Sequence, residues 1–384
     1  MLRAALLAGL MLGGAAASPA SAKDAADASP LRMNDIQVVG SHNSFKARIP
    51  AAVMDEMRRR DPKMAEALDY YHLPLSAQLD AGVRQLEIDI FADPKGGRYA
   101  APNGGRYAAP KGEALLSPAE RARAKQDGFD EAAMHKPGYK VLHIPDVDYH
   151  VVCTTLIGCL TEIDKWSRAH PGHLPIMLTL NAADTANTHE ITQPLPLDDA
   201  GLLDALDGEI RKALPGKRLI TPDEVRGNAA TLAGAVKTKG WPTLKAARGR
   251  IYVLFDVRKA VSDVYRAGHP SLRGRAMFGW YPDGEPESAI QIVQDPLVDG
   301  AKIREWVKSG VIVRTRTDAN TVEARAHDFA KTRAAIESGA QAVSTDYYPG
   351  APDPLGLHFT VTLPNGAMAG CSPVRVAAGC TLEP

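Results

Sequence analysis

Residues 85–91 read Gln85-Leu86-Glu87-Ile88-Asp89-Ile90-Phe91, an alternation of polar and apolar side chains. Alternation is the strand period, so Glu87 and Asp89 share one face and the branched aliphatics share the other. Seven more β-like runs flank this one: Ile36–Gly40, Lys140–Ile144, Ile176–Leu180, Ile251–Phe255, Ala289–Val293, Val311–Arg314 and Ala342–Thr345. Most are nearly continuous apolar stretches, the pattern of strands buried on both faces of a parallel sheet. Helical segments fall between them: Ala51–Leu68, Leu160–His170, Ala200–Leu214 and Val322–Ser338, the last ending at Gly339 as a C-cap. Eight strands alternating with helices predict an α/β chain folded as a (β/α)8 TIM barrel. The runner-up is a doubly wound open sheet, disfavoured because no Gly-rich phosphate loop follows the first strand.

The polar residues that are costly to bury collect at the C-terminal ends of these runs. Ser41-His42-Asn43-Ser44 follows the first, and Glu87 and Asp89 sit in the second. His143 ends the third, Asn181 the fourth, Asp256 the fifth, Arg314 and Arg316 the seventh, and Asp346 the eighth. In a barrel these positions converge on the rim that carries active sites. Each has a bland reading alone: His42 as a satisfied interior histidine, the Glu87/Asp89 pair as partners of Arg84 or Arg314, His143 as a helix cap. Their conjunction on one rim is the signal. Two carboxylates plus a carboxamide suit a hard cation such as Ca²⁺ or Mg²⁺. Two histidines beside it suit general base and general acid, and an arginine suits a phosphorane-like transition state. Neither a G-x-S-x-G elbow nor an H-E-x-x-H helix is present. His72, His135, His150, His170, His173 and His189 read as surface residues.

The remaining features set the context. The chain has 384 residues, 45% of them hydrophobic, with 45 Lys+Arg against 45 Asp+Glu. That hydrophobic content excludes a disordered chain, and the neutral balance argues against a general nucleic-acid binder. No internal apolar stretch reaches the roughly 18 residues of a transmembrane helix. Arg3, the apolar run Ala4–Ala17 and Ala20-Ser21-Ala22 read as a secretory signal cleaved after Ala22. Residues 23–34 then form a flexible segment, 35–350 the barrel and 351–384 a short tail. The expected location is secreted or periplasmic. Four cysteines in an exported chain read as disulfides, with local pairing Cys153–Cys159 and Cys371–Cys380 preferred; their spacing does not suit a four-thiolate zinc site. Gly96–Pro102 returns as Gly104–Pro110, a loop repeat open to two readings, a duplication slip or a functional lid.

Gly40-Ser41-His42-Asn43-Ser44-Phe45 resembles the first catalytic motif of the phosphatidylinositol-specific phospholipase C superfamily. Gln78-Leu79-Asp80-Ala81-Gly82-Val83-Arg84-Gln85-Leu86-Glu87-Ile88-Asp89 resembles its second, and His143 stands where that family keeps its second histidine. Gly339 to Tyr348, with Ser344-Thr345-Asp346-Tyr347-Tyr348, is similar to the last strand of the bacterial calcium-dependent branch. The resemblance implies a TIM barrel with one Ca²⁺, a phosphoric diester hydrolase, and an inositol-containing substrate, either a phosphoinositide or glycerophosphoinositol. It implies His42 as general base and His143 as general acid. It implies Asn43, Glu87, Asp89 and Asn181 at the metal, with Asp184 as a substitute for Asn181. Arg314, Arg316, Asp256 and Asp346 are then expected on the substrate side, Asp346 also orienting His42. Transient contact with a membrane surface is expected. Two alternatives stand beside it: another barrel phosphodiesterase, such as a glycerophosphodiester hydrolase, and a noncatalytic phosphoinositide-binding protein.

Overall fold

The computed structural model describes residues 30–102, 130–185, 192–238, 240–377 and 380–382. The expected leader, His189 and the second copy of the loop repeat lie outside the described residues.

Eight parallel staves form the barrel: β1 (Ile36–Ser41), β2 (Gln85–Phe91), β3 (Ile176–Ala182), β4 (Ile251–Asp256), β5 (Phe278–Gly279), β6 (Ile290–Val293), β7 (Ile312–Arg316) and β8 (Ala342–Thr345). Neighbours in sequence pair from β1 to β5 and from β6 to β8, and β8 returns to β1 through Val38↔Ala342 to Ser41↔Thr345. The parallel bridge Trp280↔Ile290 spans the gap between β5 and β6, leaving a nearly closed (β/α)8 TIM barrel. β1 and β2 are buried along their whole length, as strands wrapped by helices must be. Gly40 gives them room where they meet: a Cβ there would stand 2.7 Å from the Gln85 Cβ.

The covering helices start and stop where side chains dictate. Thr155 accepts from Gly158 N at the start of Leu156–Ala169, and Asp295 caps Pro296–Ser309, whose proline sits where no donor is needed. Gly339 ends Ala330–Ser338 in the left-handed region at φ 81°, as expected of a C-cap. Two expected helices are each broken in two. Asp61-Pro62 splits 51–68, and His327, at φ 49°, separates Val322–Ala326 from Ala330–Ser338.

One expected stave is not in the barrel. Lys140–Val141 runs antiparallel to Phe91 and Ile90, off the end of β2, so the chain folds back over the rim there. The stave that takes its place in the count is Phe278–Gly279, two residues long and too short to leave a pattern. Described residues on either side of the barrel strands pack onto it. Met33 and Asn34 are buried and Arg32 bridges to Thr243, while Ala369–Cys371 pairs antiparallel with the start of β1. Both expected disulfides, Cys153–Cys159 and Cys371–Cys380, are formed. Among the described residues no helix is long and apolar enough to cross a membrane.

Candidate active site

The turn after β1 is held by a buried network of neutral groups. Ser41 Oγ donates to Gln78 Oε1 at 2.7 Å and lies 2.6 Å from Ser44 Oγ. Gln78 Nε2 donates to the carbonyls of Ser44 and Leu73, and Ser44 Oγ accepts from Glu87 N. With its flanks fixed, Asn43 is held at φ 47°, a left-handed position that asparagine tolerates better than most residues. The tight turn aims His42 and Asn43 off the C-terminal end of β1.

His42 is the centre of one charged group. Its Nδ1 lies 2.9 Å from Asp346 Oδ1 at the end of β8 and 3.3 Å from the Tyr70 hydroxyl. Its Nε2 accepts from Arg316 Nη1 at 2.9 Å and is 3.9 Å from Glu87 Oε1. Burial and the neighbouring Arg316 pull the His42 pKa down to about 4, so the ring is neutral and Nε2 keeps a lone pair. Burial alone would raise Asp346, but His42 and Arg316 hold it well below the ordinary carboxylate range. Behind it Asp318 accepts from Asp346 N and from the Thr345 hydroxyl; burial and Asp346 push Asp318 up to about 6.

His143 is the centre of a second group. Its Nδ1 is 2.7 Å from Asp148 Oδ2 and its Nε2 is 3.3 Å from Asn43 Nδ2. Burial would raise Asp148, but the Lys46 ammonium and the His143 hydrogen bond hold it below its ordinary value. The two histidines, Asn43, Tyr70 and Arg316 line one cleft of roughly 490 Å³, together with Lys63, Met64 and Asn320.

Beside the cleft the acidic residues form a row. The sheet register places Asp89, Asn181 and Asp256 side by side on β2, β3 and β4. Asp89 Oδ1 is buried with no hydrogen-bond partner among the described residues. Burial, then Glu87 and Asp256, push Asp89 well above the usual carboxylate range; burial and Glu87 push Asp256 up to about 6. Glu87 goes the other way: burial would raise it, but Arg314, His42 and Arg316 together hold it below its ordinary value. Among the described residues no three His, Cys, Asp or Glu side chains converge closely enough to hold an ion unaided, so amide oxygens would have to share the work. Made of oxygens only and partly orphaned at Asp89, this donor set fits a hard cation.

The structure thus gathers His42, Asn43, Glu87, Asp89, His143, Asn181, Asp256, Arg314, Arg316 and Asp346 at one end of the barrel. It separates the two arginines: Arg314 is buried against Glu87, and Arg316 lines the cleft. Asp184 is engaged elsewhere, bonded by Arg258 at 2.5–3.0 Å. Three histidines read as surface residues are buried: His72, His150 and His173. His72 Nε2 donates to the His42 carbonyl at 2.8 Å, which explains why it is inside. Tyr70, Lys46, Asp148 and Asp318 were not singled out by the sequence. Of these only Asp148 carried a local signal, a carboxylate five residues beyond a candidate histidine.

Parallel barrel, paired histidines and an acidic row on one rim define a PLC-like phosphodiesterase. The family model described as phosphoinositide phospholipase C, Ca²⁺-dependent, matches residues 31–373, and the chain belongs to that family of phosphodiesterases. Its fold is similar to a calcium-dependent phosphoinositol-specific phospholipase C from the Gram-negative bacterium Pseudomonas sp (TM-score 0.51, 15% identity, 89% of this chain and 95% of that one). A myo-inositol complex of the Pseudomonas enzyme gives TM-score 0.52 at 16% identity over 89% and 96% of the two chains. The Ca²⁺-dependent phosphatidylinositol-specific phospholipase C from Streptomyces antibioticus gives TM-score 0.50 at 17% identity over 83% and 96%. No curated protein sequence matches the chain.

Proposed function

We propose that the chain is an exported, calcium-dependent phosphatidylinositol-specific phospholipase C that cleaves the bond between inositol phosphate and glycerol through a cyclic inositol phosphate. The observation that carries this reading is the pair of histidine–aspartate dyads, His42–Asp346 and His143–Asp148, facing one cleft. Neutral His42 takes the proton of the inositol 2-hydroxyl on Nε2, while Asp346 on Nδ1 fixes the tautomer and stabilises the imidazolium that forms. The freed oxygen attacks phosphorus and the phosphorus–glycerol bond breaks. His143 gives its proton to the departing oxygen, so charge does not build up there. Arg316, beside His42 Nε2, is placed to hold a phosphate oxygen. Asn43, Glu87, Asp89 and Asn181 would hold calcium, with Asp256 at the end of the same row and Arg314 setting the position of Glu87. A bound calcium ion would supply charge neutralisation and acidify the attacking hydroxyl.

Membrane contact belongs to the same reading. Among the described residues the exposed large hydrophobics are Leu297, Val298 and Val322. They follow the C-terminal ends of the neighbouring staves β6 and β7, on the rim that carries the cleft. Phosphorus NMR of the reaction with phosphatidylinositol, glycerophosphoinositol and glycerophosphocholine, with and without chelator, tests the proposal. A cyclic inositol phosphate formed only with calcium supports it. Hydrolysis of glycerophosphocholine with no cyclic product overturns it in favour of a general glycerophosphodiesterase. No turnover of any of the three favours a binding protein.

A further inference from the structure

Lys46 is fully buried four residues after His42, an expensive place for an ammonium group. A methionine would fill similar space without that cost, so the charge needs a reason. Its Nζ donates to the carbonyls of Leu68 at 3.0 Å and Tyr70 at 2.6 Å, lies 4.8 Å from the Tyr70 ring centre, and is 3.4 Å from Asp148 Oδ2. These contacts reach both halves of the site. Tyr70 touches His42 Nδ1 and Asn43 Nδ2 through its hydroxyl, and Asp148 holds His143. The segment that carries His143 is also joined to the turn by the backbone bonds Ala47 N to His150 O and Val152 N to Phe45 O, by the Asn43 Nδ2–His143 Nε2 contact and by packing of Ile49 on Ile144 and Val147. Among the described residues Asp148 Oδ1 is buried without a partner, and the carboxylate is compensated through Oδ2 by Lys46 and His143.

We propose that Lys46 and Asp148 are a positioning pair: the buried ammonium locks Asp148, and Asp148 fixes the His143 ring so that Nε2 faces the departing oxygen. Neither touches substrate; both act through His143. The inference rests on the reading of His143 as general acid, and it predicts a leaving-group dependence that a loss of folding would not produce. An alkoxide leaves poorly without a proton, whereas 4-nitrophenolate leaves without one.

The test uses Lys46→Met, Asp148→Asn and the double variant of the full chain. Two substrates are compared: a phosphatidylinositol analogue with a glycerol leaving group, and inositol 1-phosphate esterified to 4-nitrophenol. Each single variant should lower kcat on the glycerol ester by about a hundredfold, the scale of one general-acid group, and on the nitrophenyl ester by less than about fivefold. KM should change by less than about threefold, and the double variant should be no worse than the poorer single variant. Imidazole ¹⁵N NMR should show the hydrogen-bonded Nδ1–H resonance of His143 shifted in both variants. Equal losses on the two esters, or an unshifted His143 resonance, overturn the proposal. Should Lys46→Met fail to fold, the near-isosteric Asp148→Asn decides by the same criteria. Wild-type inactivity on both esters would sink the reaction reading, and the NMR comparison would still decide the positioning.

Discussion

Replacing Asp346 with asparagine probes the base half of the site. Asp346 is buried, with His42 Nδ1 at 2.9 Å from one oxygen and Arg316 Nη2 at 3.2 Å from the other. Hydrogen bonds to charged groups contribute about 1.5–3 kcal/mol each. The bond to Arg316 exists before and after proton transfer, so its loss appears mainly in stability. The bond to His42 strengthens as the imidazolium forms, so its loss appears in kcat. At about 1.4 kcal/mol per tenfold, that bond alone accounts for roughly 10- to 100-fold. A further loss comes from the tautomer. An asparagine amide can present its N–H₂ to Nδ1, which moves the ring proton to Nε2 and removes the lone pair that accepts the substrate proton. Asp346→Asn should therefore lower kcat by about 10²–10⁴ with KM nearly unchanged, measured in single-turnover experiments with phosphatidylinositol and saturating calcium. His42→Ala added to it should cost less than a further tenfold, because the two act as a unit. An Asp346→Asn enzyme that retains more than a tenth of wild-type kcat would show that His42 does not depend on this carboxylate.

Three further outcomes are expected. Excess chelator should abolish turnover; Asp89→Asn should raise the half-saturating calcium concentration at least about tenfold, read also by calorimetric titration of calcium, and a normal calcium isotherm would remove Asp89 from the metal. His173, whose pKa burial lowers from 6.5 to about 4, is neutral when folded; the stability this gives is complete above pH 6.5 and declines as pH falls towards 4, by up to roughly 3 kcal/mol. His173→Asn should flatten urea-unfolding free energy over that window, and an unchanged acid slope would assign it to other groups. Val298→Asp should reduce turnover on phosphatidylinositol vesicles several-fold and leave glycerophosphoinositol turnover unchanged, since the side chain lies outside the cleft; equal rates on vesicles would remove it from the membrane contact.

What the sequence disclosed follows from how each part of the site is built. His42, Glu87, Asp89, Asn181, Asp256, Arg314, Arg316 and Asp346 sit in or at the ends of staves, where a polar residue interrupts an apolar run and local pattern alone betrays it. The motif around His42 was legible for a related reason: Ser41, Ser44 and Gln78 build the turn, so the residues that hold the site travel with those that act in it. His143 was legible as a residue but misplaced as a stave end. Its segment is apolar enough to read as a barrel strand, yet it pairs antiparallel beyond the rim, and pairing direction leaves no trace in a run of two residues. Lys46, Tyr70, His72 and Asp318 were not legible as site residues, because each is polar in a loop or helix end and becomes informative only through hydrogen-bond partners 22 to 30 residues away. The same asymmetry explains the site's construction. The base dyad joins β1 to β8, whose pairing in the barrel fixes it in space, whereas the acid dyad lies on a folded-back segment beyond the barrel rim. A segment held to the staves only by the two-residue pairing of Lys140–Val141 with β2 needs further registration, and a buried lysine bonded to both sides of the cleft supplies it.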